Sequence, residues 1–202
     1  MKKIVILALH LGYGGVERTI SSLANSLVKD DTYQVEIVSI YRIYDNPVYD
    51  IDPKVKITYL LPKSLSPNRY EWKKALNSLE PVNFVKESVK GVKILYKRRK
   101  KMANYIKKSD ADVIISTRVM LNELLSEYGK DNVLKIGWEH NHHHNNMRYA
   151  TDVVRSAKNL DYLVLVSKDL KRFYNKKLFT SKCQCVYIPN ALETIPKKRS
   201  PL

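Results

Sequence analysis

The stretch Leu11-Gly12-Tyr13-Gly14-Gly15-Val16-Glu17-Arg18 decides the fold of this chain. It follows an apolar run, Ile4–Leu9, and leads into a segment with apolar residues every three or four positions as far as Leu27. The uninterrupted run predicts a buried strand, and the 3.6-residue period predicts an amphipathic helix. Between them, glycines let the backbone approach a ligand closely. Because the N-terminus of a helix presents unpaired N–H groups and a positive dipole, we expect a phosphate or another anion there.

Two other interpretations of this loop are open. A dinucleotide-binding loop reads G-x-G-x-x-G; Gly12 and Gly14 match its first two glycines, whereas Glu17 stands at the third position. The next strand of such a fold supplies an acidic residue for the ribose, but here it ends Ser39-Ile40-Tyr41-Arg42. A nicotinamide-binding role therefore fits poorly. A purely structural turn is the second alternative, since Gly-Gly is an ordinary strand–helix connector.

Strand-like runs and helical patterns alternate along the chain. The strand-like runs are Ile4–Leu9, Gln34–Ile40, Val55–Leu61, Val113–Ser116, Val133–Trp138, Tyr162–Ser167 and Cys185–Ile188. The helical patterns are Val16–Leu27, about Val82 to Lys108, Leu121–Tyr128, Met147–Asn159 and Asp169–Leu178. This alternation predicts an α/β fold with an open, mostly parallel sheet and helices on both faces. In such sheets ligands bind outside the carboxyl ends of the strands, which places the glycine loop, Arg118 and the His-rich segment on one edge.

Composition restricts the class of protein. The chain has 202 residues, 44% hydrophobic and 28% charged, which are values of a globular domain rather than a disordered one. No stretch approaches 18 consecutive apolar residues, so no membrane span is predicted. The only cysteines, Cys183 and Cys185, are alternate residues of an apparent strand, where a disulfide would distort the geometry. Two ordinary thiols indicate a reducing, cytoplasmic location.

Three motifs occur in the order found in glycosyltransferase family 4, and they span nearly the whole chain. Gly14–Arg18 with Leu23–Leu27 resembles the opening loop and helix of that family, Val164–Leu170 resembles its Val-Ser strand end, and Val186–Ala191 resembles its Ile-Pro-Asn-Gly segment. The resemblance implies the GT-B architecture of two facing Rossmann-like domains. It also implies a retaining, metal-independent enzyme that moves a sugar from a nucleoside-diphosphate donor to a glycan or lipid-linked acceptor, with the nucleotide sugar as substrate and no cofactor.

The resemblance also divides the chain. Family 4 enzymes hold the nucleotide sugar through a C-terminal domain with an E-x7-E motif, and no two glutamates here have that spacing. We therefore expect residues 1–190 to form the N-terminal, acceptor-side domain and residues 191–202 to begin an interdomain linker. A C-terminal donor-binding domain would be supplied in cis or in trans, and the fragment alone should not complete a catalytic cycle.

Four of the five histidines lie within the segment 138–146, directly after a predicted strand. By resemblance, His140 corresponds to a histidine that contacts the transferred sugar or its acceptor, and it is the catalytic candidate. The other candidate substrate-binding residues are Gly12, Gly14, Gly15, Arg118, Glu139 and Asn141. The glycines would stabilise the departing diphosphate through backbone N–H groups. Arg118 would pair with an acceptor phosphate, and Glu139 would orient His140 or accept from an acceptor hydroxyl.

The remaining histidines, His142, His143 and His144, have no counterpart in the family. We interpret them as a polar, solvent-facing loop. The alternative is a His-rich metal-dependent enzyme, since His is a common metal ligand and Glu139 could add a carboxylate. A cluster on one loop rarely closes a tetrahedron, and no H-E-x-x-H spacing is present. We therefore assign no metal ligands.

Charge is the last signal, with a net value of +16 at pH 7. It concentrates in the long predicted helix, where apolar residues recur at a helical period among lysines and arginines. Such a helix suits an anionic membrane surface, so we predict a cytoplasmic protein peripheral on the inner face of the membrane. The predicted membrane-facing residues are Lys97, Arg98, Arg99, Lys100 and Lys101. Two alternatives are open: the apolar stripe packs on the sheet beneath solvated lysines, or the helix binds nucleic acid.

Overall fold

The fold was obtained as a computed structural model and is described for residues 1–190. Seven strands run β1 Lys2–Ala8, β2 Tyr33–Tyr41, β3 Lys56–Leu61, β4 Val113–Ser116, β5 Leu134–Glu139, β6 Tyr162–Leu165 and β7 Gln184–Tyr187. Six α-helices run α1 Gly15–Leu27, α2 Arg69–Asn77, α3 Pro81–Lys108, α4 Val119–Tyr128, α5 Met147–Ala157 and α6 Lys168–Lys177. A short 3-10 helix occupies Lys63–Leu65. The linker expected at 191–202 lies outside the described residues.

All seven strands are parallel and form one sheet in the order β3-β2-β1-β4-β5-β6-β7. The chain proceeds outward from β1 in one direction through β2 and β3, then returns to the other side of β1 with β4. This reversal makes the β1–β4 boundary the topological switch point of the sheet. In an open α/β sheet a ligand binds in the crevice at that point, outside the carboxyl ends of the strands.

Two apolar layers hold helices on the two faces of the sheet, as predicted. Alternate residues of β1 separate into these layers: Val5 and Leu7 face one side, and Ile4, Ile6 and Ala8 face the other. The first layer contains buried residues of α3, α4, α5 and α6, and the second contains residues of α1. The near-continuous apolar strands thus reflect burial on both sides of the sheet.

Helix α2 was not predicted from the sequence. It packs on α3 rather than on the sheet and buries only Ala75, so its pattern of apolar residues is weak. The Trp72 indole N–H donates to Ser88 Oγ at 2.9 Å, and the Trp72 and Phe84 rings lie 5.4 Å apart. These contacts join the two helices into a helical hairpin.

The long helix α3 divides into two parts. Ile94, Met102, Ala103 and Ile106 are buried and belong to the core. The valines of its first part are exposed, so the alternative in which the whole apolar stripe packs on the sheet is wrong for that part. Within the described part of the chain, no helix is both long enough and apolar enough to cross a bilayer.

Candidate functional site at the carboxyl edge of the sheet

The candidate site lies at the switch point between β1 and β4. The glycine loop follows β1, and Thr117 with Arg118 follows β4. Thr117 Oγ1 donates to the carbonyl oxygen of Leu7 at 2.9 Å, which ties the end of β4 to the end of β1. Segments about 100 residues apart in sequence therefore meet at one edge, where parallel strands present their carboxyl ends together.

A partly buried ion pair spans this edge. Arg118 Nη2 lies 2.6 Å from Glu17 Oε1, and the Glu17 side chain is only 3% exposed. His10 Nε2 is 3.7 Å from the same carboxylate oxygen. Burial lowers the pKa of His10, and the neighbouring Arg118 charge adds to that shift while Glu17 opposes it. Arg118 therefore provides a hydrogen-bonded, oppositely charged partner for a carboxylate enclosed in an apolar layer.

The three glycines of the loop have different surroundings. A Cβ on Gly14 would lie 1.9 Å from Glu17 Oε2, so only glycine leaves room for the paired carboxylate. A Cβ on Gly12 would lie 3.0 Å from the Tyr44 ring. A Cβ on Gly15 would meet no atom within 4 Å, so the space in front of the first residue of α1 is open. Helix α1 has no side-chain cap, so the N–H groups of its first turn are not satisfied by a capping side chain.

Two hydrogen bonds hold the glycine loop in place. The Gly12 N–H donates to His10 Nδ1 at 3.2 Å, and the Gly14 N–H donates to the Tyr49 hydroxyl at 3.3 Å. Both of these N–H groups were predicted to face a departing diphosphate. The structure commits them to the protein, so an anion at this loop would be met by Gly15 and the start of α1.

His140 lies at the end of β5, where neither ring nitrogen is exposed and neither has a hydrogen-bond partner. Its ring packs on Trp138 with centroids 4.7 Å apart. Burial, together with the nearby Arg118 charge, lowers the pKa of His140 to about 4. The Asn190 side chain opposes the shift but does not reach either ring nitrogen in hydrogen-bonding geometry. At neutral pH His140 is a neutral imidazole with one unused donor and one unused acceptor.

The carboxylate of Glu139 is directed away from His140. Glu139 Oε1 accepts from the Asn141 N–H at 2.7 Å and from the Tyr149 hydroxyl at 2.8 Å. Burial raises the pKa of Glu139, and these two hydrogen bonds oppose that shift. Because Glu139 does not hydrogen-bond to His140, the expectation that it orients the ring is not met in this structure. Its contacts instead fix the start of the His-rich loop against α5.

The His-rich loop borders an open cleft of about 650 Å³ that His140 and Asn141 also line. His142 Nδ1 accepts from the His144 N–H at 2.9 Å, and the His143 ring stacks on Phe173 with centroids 4.1 Å apart. These imidazoles shape the loop and pack on α6. Across residues 1–190 no group of three or more His, Cys, Asp or Glu side chains could hold a metal ion, so the His-rich metal site has no geometric support.

Sequence reasoning assembled part of this site and missed part of it. The structure brings together the glycine loop, Arg118 and His140, as the strand-end rule required. Glu17, His10 and Tyr49 were not assigned to the site. A signal for Glu17 was present, since it lies three and seven residues before the buried Ile20 and Ala24 and so shares the apolar face of α1. The run from Lys97 to Lys101 lies far along α3, outside this edge.

Comparison with solved structures identifies the class of fold. The chain superposes on sucrose-phosphate synthase from Thermosynechococcus elongatus with a TM-score of 0.57 and 13% identity, covering 94% of this chain and 48% of that protein. It superposes on TcCGT1, solved in complex with UDP, with a TM-score of 0.56 and 12% identity, covering 99% and 53%. The N-terminal domain of Candida albicans trehalose-6-phosphate phosphatase gives 0.55 and 12%, covering 94% and 48%.

These likenesses define a Rossmann-like α/β fold of the kind found in GT-B glycosyltransferases. At 12–13% identity they establish the fold, and the chain spans about half the length of these neighbours. No protein-family model matches the sequence, and no curated protein matches it.

Proposed function

We propose that residues 1–190 form the N-terminal, acceptor-side half of a retaining glycosyltransferase of family 4. The complete enzyme would move a sugar from a nucleoside-diphosphate donor to a hydroxyl of a glycan or lipid-linked acceptor. A C-terminal donor-binding domain, in cis or in trans, would close over the carboxyl edge of the sheet. The GT-B-like fold and the three sequence motifs support this assignment.

The observation that carries the proposal is a set of buried nitrogen atoms without partners at one edge of the sheet. They are Arg118 Nε, Trp138 Nε1, His140 Nδ1 and His140 Nε2. Buried polar groups are nearly always hydrogen-bonded, and leaving one unpaired costs about 1–3 kcal/mol. A ligand rich in hydroxyl groups, brought in when the second domain closes, would satisfy them. A sugar has that chemistry.

Each candidate residue has a role in this proposal. His140 would bind a sugar hydroxyl as a neutral imidazole, since its pKa of about 4 keeps it uncharged at pH 7. Gly15 and the start of α1 would face the donor diphosphate and stabilise the charge that develops on it. Arg118 would bind an acceptor phosphate through its Nε, which has no hydrogen-bond partner while Nη2 contacts Glu17. Asn141 would contact the acceptor from the border of the cleft.

Turnover of the complete enzyme tests the role of His140. In the chain combined with its donor-binding domain, His140→Ala should lower kcat by about 10²-fold, the scale of a lost positioned catalytic group. His143→Ala is the matched control, because that ring lies on the same loop and stacks on Phe173, and its loss should change kcat less than threefold, that is, by less than ~0.7 kcal/mol. Equal losses in both variants would contradict a catalytic role and indicate a structural loop.

Calorimetry on the isolated chain tests the division into halves. With the donor-binding domain missing, UDP- or GDP-sugars should bind with a Kd on the order of 1 mM, or about −4 kcal/mol. Micromolar binding to the isolated chain would contradict the half-enzyme interpretation and indicate a complete nucleotide-binding protein.

A further inference from the structure

The helical hairpin of α2 and α3 carries a continuous apolar surface that no described residue covers. We call it the hairpin face, and its members are Leu79, Val82, Val85, Val89, Val92 and Tyr96. The four valines and Tyr96 are between 59% and 79% exposed, and Leu79 is 88% exposed. Residues spaced by three and four positions lie on one side of a helix, so these side chains form a single stripe.

Lysines border this stripe on one side only. Lys86, Lys93, Lys97 and Lys100 follow the same three- and four-residue spacing, and Lys100 Nζ lies 5.5 Å from the centre of the Tyr96 ring. The acid of this segment is directed elsewhere: Glu87 is half-buried and accepts from Asn68 on the side of α2. The hairpin face therefore combines exposed apolar side chains with a row of positive charge.

The tip of the hairpin has an unusual backbone. Leu79 has a φ of 53°, in the left-handed region that favours glycine, although its side chain makes no contribution to the core. This conformation ends α2: the Leu79 N–H donates to the Leu76 carbonyl oxygen at 3.3 Å, and the Glu80 N–H donates to the Ala75 carbonyl oxygen at 3.2 Å. The turn leaves the Leu79 side chain 88% exposed at the tip of the hairpin.

We propose that the hairpin face docks on a lipid bilayer that contains anionic lipids. Leu79 and the valines enter the boundary between headgroups and acyl chains, Tyr96 lies at headgroup depth, and the lysines contact the anionic headgroups. This interaction places the domain on a membrane whatever reaction the carboxyl edge performs.

The proposal corrects the membrane-facing residues expected from sequence. Arg99 Nη2 lies 2.9 Å from Glu127 on α4, so Arg99 is held in a surface ion pair with the neighbouring helix. Arg98, the residue before Arg99, is turned away from the stripe, since adjacent residues on a helix are rotated by about 100°. Lys97 and Lys100 remain on the proposed membrane surface, and Lys86 and Lys93 join them. Lys101 is exposed beyond the far edge of that row.

Two other occupants fit the charges less well. A second copy docked through the same face would place its lysines near those of the first copy, and like charges repel. A nucleic acid would use the lysines but leave the valines in water, because valine side chains offer no surface on which a base can stack. Anionic lipid is the one partner that uses both halves of the face.

Vesicle sedimentation with the full chain tests the proposal. It compares phosphatidylcholine vesicles with vesicles in which about 30 mol% of the lipid is phosphatidylglycerol. The chain should bind the anionic vesicles and release them as salt rises. The variant Val85→Gln/Val89→Gln/Val92→Gln should weaken binding by at least ~10-fold, because it removes the inserted groups. Gln is a better helix former than Val, so circular dichroism should show an unchanged helix content. Phe179→Gln, an exposed apolar residue outside the hairpin, should leave binding unchanged.

A second pair of variants separates the lysine row from general positive charge. Lys86→Gln/Lys93→Gln/Lys97→Gln should weaken anionic-vesicle binding by about 10-fold or more. Lys168→Gln/Lys171→Gln/Lys176→Gln on α6 removes the same charge and should weaken it less than twofold, or ~0.4 kcal/mol. Equal losses of vesicle binding from the two triple variants would overturn the proposal, and so would the absence of any vesicle binding. Tight, salt-sensitive binding to RNA without vesicle binding would also overturn it. The same holds for a dimer that the triple valine variant dissociates.

Leu79→Gly gives the sharpest test because it moves two measurements in opposite directions. Glycine adopts the positive φ without strain, so the thermal midpoint should rise. Binding to the anionic vesicles should fall by about 3- to 10-fold, as expected for one partly inserted leucine side chain. A higher midpoint with unchanged vesicle binding would contradict the role of the hairpin tip in docking.

Discussion

The carboxyl edge of the sheet and the hairpin face break the usual rule of burial in opposite ways. At the edge, polar atoms of Arg118, Trp138 and His140 are buried without partners. On the hairpin, valines are exposed without partners. Buried polar groups need a ligand that supplies hydrogen bonds, whereas exposed apolar groups need a surface that removes them from water. The two binding surfaces that we propose therefore differ in the chemistry of their ligands.

Alanine substitutions along α3 test the boundary between its buried and exposed parts. Met102→Ala should lower the free energy of unfolding by about 2–5 kcal/mol, because Met102 is fully buried and its loss leaves a cavity. Val89→Ala should change it by less than about 0.5 kcal/mol, since its side chain is mostly exposed and alanine is the better helix former. Urea denaturation measures both values. A loss above about 1 kcal/mol for Val89→Ala would show that the hairpin face is covered in the native protein.

The two Arg–Glu pairs contrast a pair with a buried carboxylate at the edge with an exposed pair on α3. Arg118→Met should cost about 3 kcal/mol, because the Glu17 carboxylate is left buried and unpaired. Arg99→Met removes a pair with Glu127 in which both side chains are nearly half exposed, and should cost about 0.5 kcal/mol or less. Urea denaturation at pH 7 measures the difference. Similar, small losses from both variants would contradict the assignment of the Glu17–Arg118 pair as the structural link at the edge.

The pKa of His140 predicts a dependence of stability on pH. Since the folded pKa is about 4 and the unfolded pKa is near the ordinary 6.5, the unfolded chain binds the additional proton between these values. The contribution of neutral His140 is complete above pH 6.5 and declines as the pH falls toward 4, by about 3 kcal/mol in total. Between pH 6.5 and pH 4 the free energy of unfolding of His140→Gln should therefore fall by about 3 kcal/mol less than that of the wild type, which urea denaturation at both pH values measures. An NMR titration in which the His140 imidazole resonances shift near pH 6.5 would contradict this prediction, because it would show that the ring is solvated.

The glycine loop offers a smaller contrast within the edge. Gly14→Ala should lower stability by about 1–2 kcal/mol, because the added methyl group collides with the Glu17 carboxylate and disturbs its pair with Arg118. Gly15→Ala should change stability by less than about 0.5 kcal/mol, because its methyl group enters open space. The same methyl group should weaken binding of nucleoside diphosphates, which calorimetry measures. Unchanged nucleotide binding by Gly15→Ala would show that the ligand does not approach the start of α1.

Local patterns determined most of the secondary structure of this protein. Five of the six helices, all except α2, and all seven strands follow from these patterns within about two residues, because an apolar period of two or 3.6 residues reports directly on backbone geometry. Helix α2 contributes one buried residue, so it leaves no such period to read. The position of His140 after a strand was also readable, since a strand end is a local feature.

Tertiary structure alone decided which side chains pair and what covers each face. Glu17 and Arg118 are 101 residues apart, and their pairing depends on β4 lying beside β1, which no local pattern records. The period of α3 predicted an apolar face but not that its first part is exposed while Met102 and Ile106 are buried. A periodic sequence states that one side of a helix is apolar; only the packing of the chain determines whether the protein itself buries it.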